Sequence, residues 1–225
     1  MGGKARDEGL DLYHEPDHTQ ARLDTQKKSL GSTERNEEER SAWREQVSKL
    51  DPKHLVFVDE CGTNISLAPL YARAPKGERA YGKVPKNRGK NVTLLSSLSS
   101  EGVGASMAIE GATDKGVFEA YVEHFLAPTL KQGQVVIMDN LQAHKGHRVR
   151  RSIEARGAKV LFLPPYSPDF NPIEEAFSKI KNSVRKAKAR SKEALLDAIG
   201  RALDGVSPSD ARGWFGHRGY ELALS

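Results

Sequence analysis

The sequence predicts an α/β fold with a mixed five-stranded sheet flanked by helices, and three observations lead to this class. Short continuous apolar runs recur along the chain, and such runs are typical of strands that are buried on both faces. The first three predicted strands follow one another without an intervening helix, which favours an antiparallel meander. The last two alternate with amphipathic segments, which is the order of parallel strands joined by helical crossovers.

The N-terminal residues come before this sheet. Residues 1–24 carry scattered charges with little apolar periodicity, and we expect them to be poorly ordered. A helix is predicted over residues 32–50, where Ser32 or Thr33 is the expected cap and Pro52 follows the end of the pattern.

Three segments predict the meander. Leu55–Val58 is a continuous apolar run of the buried kind. Glycine-bounded segments around Ile65–Tyr71 and Val92–Leu98 are the expected second and third strands.

The crossover half of the sheet begins with a helix. Apolar residues at i, i+3 and i+4 spacing predict it over Asp114–Leu130. The strand Gln134–Met138, the basic helix Lys145–Arg156 and the strand Lys159–Leu163 follow. After a proline-rich loop, three further helices are predicted over Pro172–Ala187, Ser191–Leu203 and Pro208–Phe215.

Composition narrows the function classes. A chain of 225 residues, 37% of them hydrophobic and with no run near the roughly 18 apolar residues of a membrane span, suits one sizeable domain with no membrane partner. No apolar segment follows the N-terminal charges, so we expect no secretory signal and a cytoplasmic location. The single cysteine, Cys61, excludes an internal disulfide and a cysteine zinc cluster. A net charge of +5 and a pI of about 9.2 suit a polyanionic partner.

Three acidic residues lie at the edges of predicted elements. Asp59 closes the first strand, Asp139 closes the fourth, and Glu174 opens the helix after the proline-rich loop. Carboxylates at the ends of neighbouring buried strands converge at one sheet edge, where they repel one another unless a divalent cation lies between them. Taken singly, each aspartate is at least as well explained as a turn or loop residue. All three together are a much rarer coincidence.

Helical geometry selects Glu174 over its neighbour Glu175. If Asn171 caps the helix, Glu174 falls in the first turn, where a carboxylate can also fold back onto the cap. This capping role is the structural alternative. At about 100° per residue, Glu175 points away from the buried face of the helix. Glu174 lies on the flank of that face, beside Lys181 and Arg185.

The chemical composition of this set of acids favours particular metals. Three carboxylates with few neutral ligands favour Mg²⁺ or Mn²⁺ over zinc. Two such ions, held roughly 3.5–4 Å apart, would activate a water or a 3′-hydroxyl and stabilise the leaving oxygen. The pattern therefore predicts two-metal phosphoryl transfer.

Three motifs carry a family resemblance: Val56-Phe-Val-Asp-Glu60, Val136-Ile-Met-Asp-Asn-Leu-Gln-Ala-His144 and Leu163-Pro-Pro-Tyr-Ser-Pro-Asp-Phe-Asn-Pro-Ile-Glu174. With them, the chain from about Thr25 to Tyr220 resembles the DDE-type transposases of bacterial insertion sequences in the mariner-like superfamily. The third motif is the most specific. The 34 residues between Asp139 and Glu174 also match the interval typical of this group.

The resemblance implies a fold, a site and an activity. It implies a ribonuclease H-like catalytic domain in which Asp59, Asp139 and Glu174 are the metal-binding catalytic triad. It also implies Mg²⁺-dependent cleavage of DNA at transposon ends and strand transfer into target DNA, by a homodimer assembled on the DNA. The corresponding division of the chain is a tail and linker helix at 1–50, the catalytic domain at 51–190 and C-terminal helices at 191–225.

The front of the chain departs from this family. Relatives carry one or two helix-turn-helix modules there, whereas only about fifty residues precede Asp59 and they show no such pair. We therefore expect a separate DNA-recognition part, either a helix-turn-helix partner or an upstream reading frame. The alternative is a non-catalytic DNA-binding remnant.

Basic residues near the motifs are predicted to contact DNA phosphates, with a solvated surface as the alternative. The segment after the first strand contributes Arg73, Lys76, Arg79, Lys83, Lys86, Arg88 and Lys90. The helices after Asp139 and at Glu174 contribute Lys145, Lys181 and Arg185. His144 is predicted to touch DNA or a metal-bound water, or to make a structural hydrogen bond instead.

Overall fold

The structure is a computed structural model that describes residues 32–69 and 71–222. The expectation for residues 1–24 lies outside these described residues. No helix within the described ranges is long and apolar enough to cross a membrane.

A mixed five-stranded sheet forms the centre of the fold, in the order β3-β2-β1-β4-β5. Strands β1, β2 and β3 pair antiparallel, while β4 pairs parallel with both β1 and β5. The strands are β1 (Leu55–Thr63), β2 (Val92–Ser99), β3 (Gly102–Glu110), β4 (Val135–Met138) and β5 (Lys159–Phe162). The predicted fold class is therefore confirmed.

Six α-helices flank the sheet in the described part of the chain. They are α1 (Glu37–Ser48), α2 (Lys115–Tyr121), α3 (His147–Glu154), α4 (Ile173–Ala187), α5 (Lys192–Asp204) and α6 (Pro208–His217). After α2, the chain continues as a π-helical turn and a 3₁₀ turn to Thr129, which accounts for the longer helix predicted there.

Strand β1 contributes to a separate core on each side of the sheet. Leu55 and Phe57 face the core formed with α1, α4, α5 and α6, while Val56 and Val58 face the core formed with α2 and α3. Side chains alternate between the two faces of a strand, so burial on both sides requires a continuous apolar run. The position of this strand was predictable for that reason.

The predicted second strand is wrong. Described residues between 65 and 71 form turns and irregular chain, and the missing strand is β3. The Arg190 guanidinium donates hydrogen bonds to the carbonyl oxygens of Ile65 and Leu67, at 2.8 and 3.1 Å, in place of a neighbouring strand. β3 is an edge strand with many half-exposed positions, so it lacks the apolar run that marks a central strand.

The predicted cap of α1 is also wrong. Asn36, rather than Ser32 or Thr33, accepts hydrogen bonds from the backbone N–H groups of Glu38 and Glu39, at 3.0 and 3.2 Å. Asparagine is among the best N-cap residues because its short side chain reaches these N–H groups.

Candidate active site

The strand register places Asp59 beside Asp139. β1 and β4 pair in parallel up to Val58, which lies opposite Met138. Asp59 and Asp139 are the next residues, so backbones about 4.8 Å apart carry both carboxylates to one sheet edge. The predicted strand end at Asp59 is wrong in one respect, because β1 continues to Thr63 as the partner of β2. Asp59 instead marks the end of the parallel pairing.

All three predicted acids line one cavity. Glu174 reaches the cavity from the first turn of α4, after residues 163–172 have returned the chain to the sheet edge. The cavity measures about 450 Å³, and the proline-rich loop and Asn171 complete its lining beside Asp59 and Asp139. The structure therefore brings together side chains from β1, from the loop after β4 and from α4.

The electrostatics of the cavity act most strongly on Asp59. Burial raises the pKa of its carboxyl to about 7, and the negative charges of Glu174, Asp139 and Glu60 act in the same direction. The backbone N–H of Glu60 donates to Asp59 Oδ1 at 2.7 Å and partly opposes the rise. A carboxylate in this position gains stability from a nearby positive charge.

The donor set fits a divalent cation. Among residues 32–69 and 71–222, no three His, Cys, Asp or Glu side chains already enclose a point where an ion would be held. Asp59 and Asp139 instead contact protein groups, Asn171 and His144. Three carboxylates on one cavity, one of them with a raised pKa, are nevertheless the hard anionic donors that Mg²⁺ and Mn²⁺ prefer.

His144 lies behind the acids rather than on the surface. Its side chain is 1% exposed and contacts Asp139 through Nδ1, while Nε2 lies 3.4 Å from Glu60 Oε2. Its ring packs on Phe118 with 4.0 Å between centroids. Burial opposes a positive charge on the imidazole, but Asp139 and Glu60 outweigh it and raise the pKa of His144 to about 9. These contacts favour the structural alternative over contact with DNA.

The predicted cap of α4 is wrong, and the reason bears on the site. Within the described residues no side chain caps α4, and Pro172 occupies the cap position. The Asn171 side chain points to Asp59 instead, and its Nδ2 donates to Asp59 Oδ2 at 2.9 Å. The capping role considered for Glu174 is absent for the same reason.

A buried arginine holds the loop that precedes Asn171. Arg40 of α1 is 5% exposed and donates to Ser167 Oγ at 2.6 Å. It also donates to both carboxylate oxygens of Asp169, at 3.2 and 2.8 Å. Its guanidinium lies 4.0 Å from the ring centre of Phe170. The sequence does not predict a role for these residues, since contacts across more than a hundred residues have no local pattern.

The predicted DNA-contacting residues lie in three places. Those between 73 and 90 are all exposed, in the irregular segment that joins β1 to β2, and Lys90 pairs with Glu110 at 2.7 Å. Lys145 is exposed at the end of the 3₁₀ turn that follows the cavity-lining residues Asn140 and Leu141. Lys181 and Arg185 are half-buried on α4. The positions suit phosphate contacts, which stay a prediction.

The thiol of Cys61 is buried and is not a candidate nucleophile. Its side chain is 5% exposed, and burial raises the pKa of the thiol to about 11. At neutral pH the group is therefore a neutral packing residue.

Sequence comparison gives a family and several relatives. A family model described as DDE superfamily endonuclease matches residues 54–196. The Tcb1 transposase of Caenorhabditis briggsae is 28% identical over 125 residues, covering 52% of this chain and 46% of the relative. The Tc1 transposase of Caenorhabditis elegans is 25% identical over 167 residues, covering 70% of this chain and 61% of the relative. These relatives come from nematodes and give no support to the predicted bacterial origin.

Structural comparison gives the same fold. A pre-cleavage Mos1 transpososome aligns with a TM-score of 0.66 and 16% identity, over 89% of this chain and 64% of the other. Mos1 paired-end complexes with Mg and with Mn align over the same shares, with TM-scores of 0.65 and 0.63 and identities of 18% and 17%. The chain thus spans about half to two thirds of the length of the proteins that it matches.

Proposed function

Because this chain belongs to the family of DDE superfamily endonucleases, we propose that it is the catalytic domain of a Tc1/mariner-type transposase. It would cleave DNA at transposon ends and transfer the freed strand into target DNA. The observation that carries this proposal is the single cavity lined by Asp59, Asp139 and Glu174, where burial and neighbouring negative charge favour a cation.

Asp59, Asp139 and Glu174 would hold the metal, with Mg²⁺ or Mn²⁺ in two positions as the proposed occupants. When bound, such ions supply Lewis-acid activation of the attacking and leaving oxygens of a phosphodiester. A bound cation would favour the ionised form of Asp59 and so oppose the rise that burial causes in its pKa. Mos1 has been solved with each of the two metals, which supports the choice.

The proposed partner is DNA, at the transposon ends and at the target. The exposed basic residues between 73 and 90 are the proposed phosphate contacts. The Mos1 relatives are complexes with transposon ends, which supports a DNA partner and a location with cellular DNA. A homodimer on DNA and a separate helix-turn-helix part belong to the same proposal. An origin in a bacterial insertion sequence rests on the motifs alone.

A plasmid-nicking assay tests the activity. The purified protein with Mn²⁺ or Mg²⁺ is expected to convert supercoiled DNA to open circles, and Asp139→Asn is expected to reduce the rate to background because a metal ligand is lost. The exposed Asp197→Asn is the matched control, expected to nick at the wild-type rate. Nicking by Asp139→Asn at the wild-type rate would refute the site. DNA binding without nicking by the wild type would favour the non-catalytic alternative.

Salt dependence of DNA binding tests the basic segment. The triple variant Lys83→Ala, Lys86→Ala, Arg88→Ala is expected to lower the magnitude of the log–log salt slope by about 2–3, since each phosphate contact contributes about 0.9. The measurement is fluorescence anisotropy of labelled duplex DNA at several salt concentrations. The control removes three exposed lysines elsewhere, Lys49, Lys53 and Lys131, for the same change in net charge. An equal slope change in both variants would show that only total charge matters.

A further inference from the structure

We propose that Asn171 is a positioning residue that fixes the Asp59 carboxylate for metal binding. The proposal rests on the proposed function and deepens it, because it adds a neutral side chain to a site otherwise built from acids. Three observations carry it: the hydrogen bond to Asp59, the burial of Asn171 and the contacts that hold the preceding loop.

The hydrogen bond from Asn171 completes the support of Asp59. Asp59 Oδ1 accepts from the Glu60 backbone N–H at 2.7 Å, and Asp59 Oδ2 accepts from Asn171 Nδ2 at 2.9 Å. Each carboxylate oxygen thus has one donor, which restrains rotation of the group about its Cβ–Cγ bond. With the ionised carboxylate this amide orientation follows from chemistry, since the opposite one would set the amide oxygen against a carboxylate oxygen.

The position of Asn171 indicates a role in ligand binding rather than in folding alone. The residue is 2% exposed and also lines the cavity. Among the described residues, nothing donates a hydrogen bond to its buried Oδ1. A buried acceptor without a partner costs about 1–3 kcal/mol, so this amide is a poor choice for stability alone. The free acceptor is available to a donor that enters the cavity.

The chain on both sides of Asn171 is held firmly. Arg40 binds Ser167 and Asp169 on one side, and the Tyr220 hydroxyl donates to the carbonyl oxygen of Phe170. On the other side, Pro172 occupies the cap position of α4. The backbone of Asn171 is therefore held between a loop fixed by these hydrogen bonds and a helix. This restricts the direction in which its side chain points.

Metal affinity of the folded protein tests the proposal. Asn171→Ala removes the donor and leaves space, whereas Asn171→Leu removes the donor and fills the space. Both variants are expected to bind Mn²⁺ about tenfold or more weakly than the wild type, as is common when a residue supporting a metal ligand is lost. Free Mn²⁺ is measured by electron paramagnetic resonance at 25 °C. Circular dichroism at the same temperature checks that each variant is folded.

A cap variant separates positioning from stability. Ser191→Ala removes the N-cap of α5, away from the cavity, and is expected to lower the melting temperature without changing Mn²⁺ affinity. Wild-type Mn²⁺ affinity in both Asn171 variants would overturn the proposal. A loss of Mn²⁺ affinity in Asn171→Ala but not in Asn171→Leu would also overturn it, because the site would then depend on the volume of the side chain and not on its hydrogen bond. Failure of the wild-type protein to bind Mn²⁺ would instead refute the proposed function.

Discussion

Replacing Asp59 with asparagine is expected to make the metal-free protein more stable at pH 8 while abolishing metal-dependent nicking. The Asp59 carboxyl is buried beside Glu174 and Asp139, and its pKa is raised to about 7. At pH 8 the folded protein therefore keeps an unfavourable charge that the variant lacks. Urea unfolding in EDTA measures the first effect, and the plasmid assay measures the second.

The pH dependence of this effect has a definite sign. An unfolded aspartate titrates near 3.8, whereas folded Asp59 titrates near 7. As pH rises between these values the unfolded chain loses the proton first, so the free energy of unfolding falls and then levels off above pH 7. The shift in the pKa of Asp59 corresponds to a decrease of at most about 4 kcal/mol in the free energy of unfolding. Asparagine accepts only one of the two hydrogen bonds that Asp59 accepts, so we expect a net gain of about 1–3 kcal/mol.

Two comparisons make this prediction specific. Asp59→Asn should be more stable than the wild type at pH 8 but not at pH 4, where Asp59 is protonated in the folded wild type. Asp197→Asn, at an exposed position on α5, should show no stability gain at either pH. A destabilised Asp59→Asn protein at pH 8 would mean that the hydrogen bonds of Asp59 outweigh the charge repulsion.

The sequence predicts the positions of the three acidic residues better than it predicts the side chains that contact them. The buried runs at Leu55–Val58 and Gln134–Met138 predict two buried strands that each lead into an aspartate, whereas the parallel pairing that sets Asp59 beside Asp139 is seen in the structure. Helical phase then selects Glu174. Each inference uses a pattern within one local segment. For the strands it is the continuous apolar run that burial on both faces requires, and for Glu174 it is the helical repeat.

Other parts of the site depend on tertiary contacts that leave no local pattern. Asn171 has the sequence context of a helix cap, yet its amide N–H donates to the Asp59 carboxylate and its Oδ1 accepts from no helix N–H group among the described residues. Glu60 follows Asp59 in the chain, but its contact with His144 exists only because two strands bring the segments together. β3 is missed because an edge strand does not need a continuous apolar run.

Replacing Arg40 with methionine is expected to destabilise the fold and weaken metal binding together. Methionine keeps an unbranched apolar side chain but removes the guanidinium that lies over Phe170 and donates to Ser167 and Asp169. Breaking a buried ion pair costs about 3–5 kcal/mol. Asp169 is partly exposed and keeps Arg35 as a partner, so we expect a loss of about 2–3 kcal/mol. This corresponds to a melting temperature roughly 5–10 °C lower.

The effect on the proposed metal site distinguishes a contact that positions the loop from one that only stabilises the fold. Arg40 holds the loop that carries Asn171, and Asn171 holds Asp59, so Arg40→Met should also raise the Mn²⁺ dissociation constant at temperatures where the protein is folded. Lys49→Met removes an exposed ion pair with Glu45 at the C-terminal end of the same helix and should change the free energy of unfolding by less than about 0.5 kcal/mol. If Arg40→Met lowers the melting temperature but leaves Mn²⁺ affinity unchanged, α1 stabilises the fold without aligning the acids. A change in both would make a helix outside the matched family region part of the active-site support.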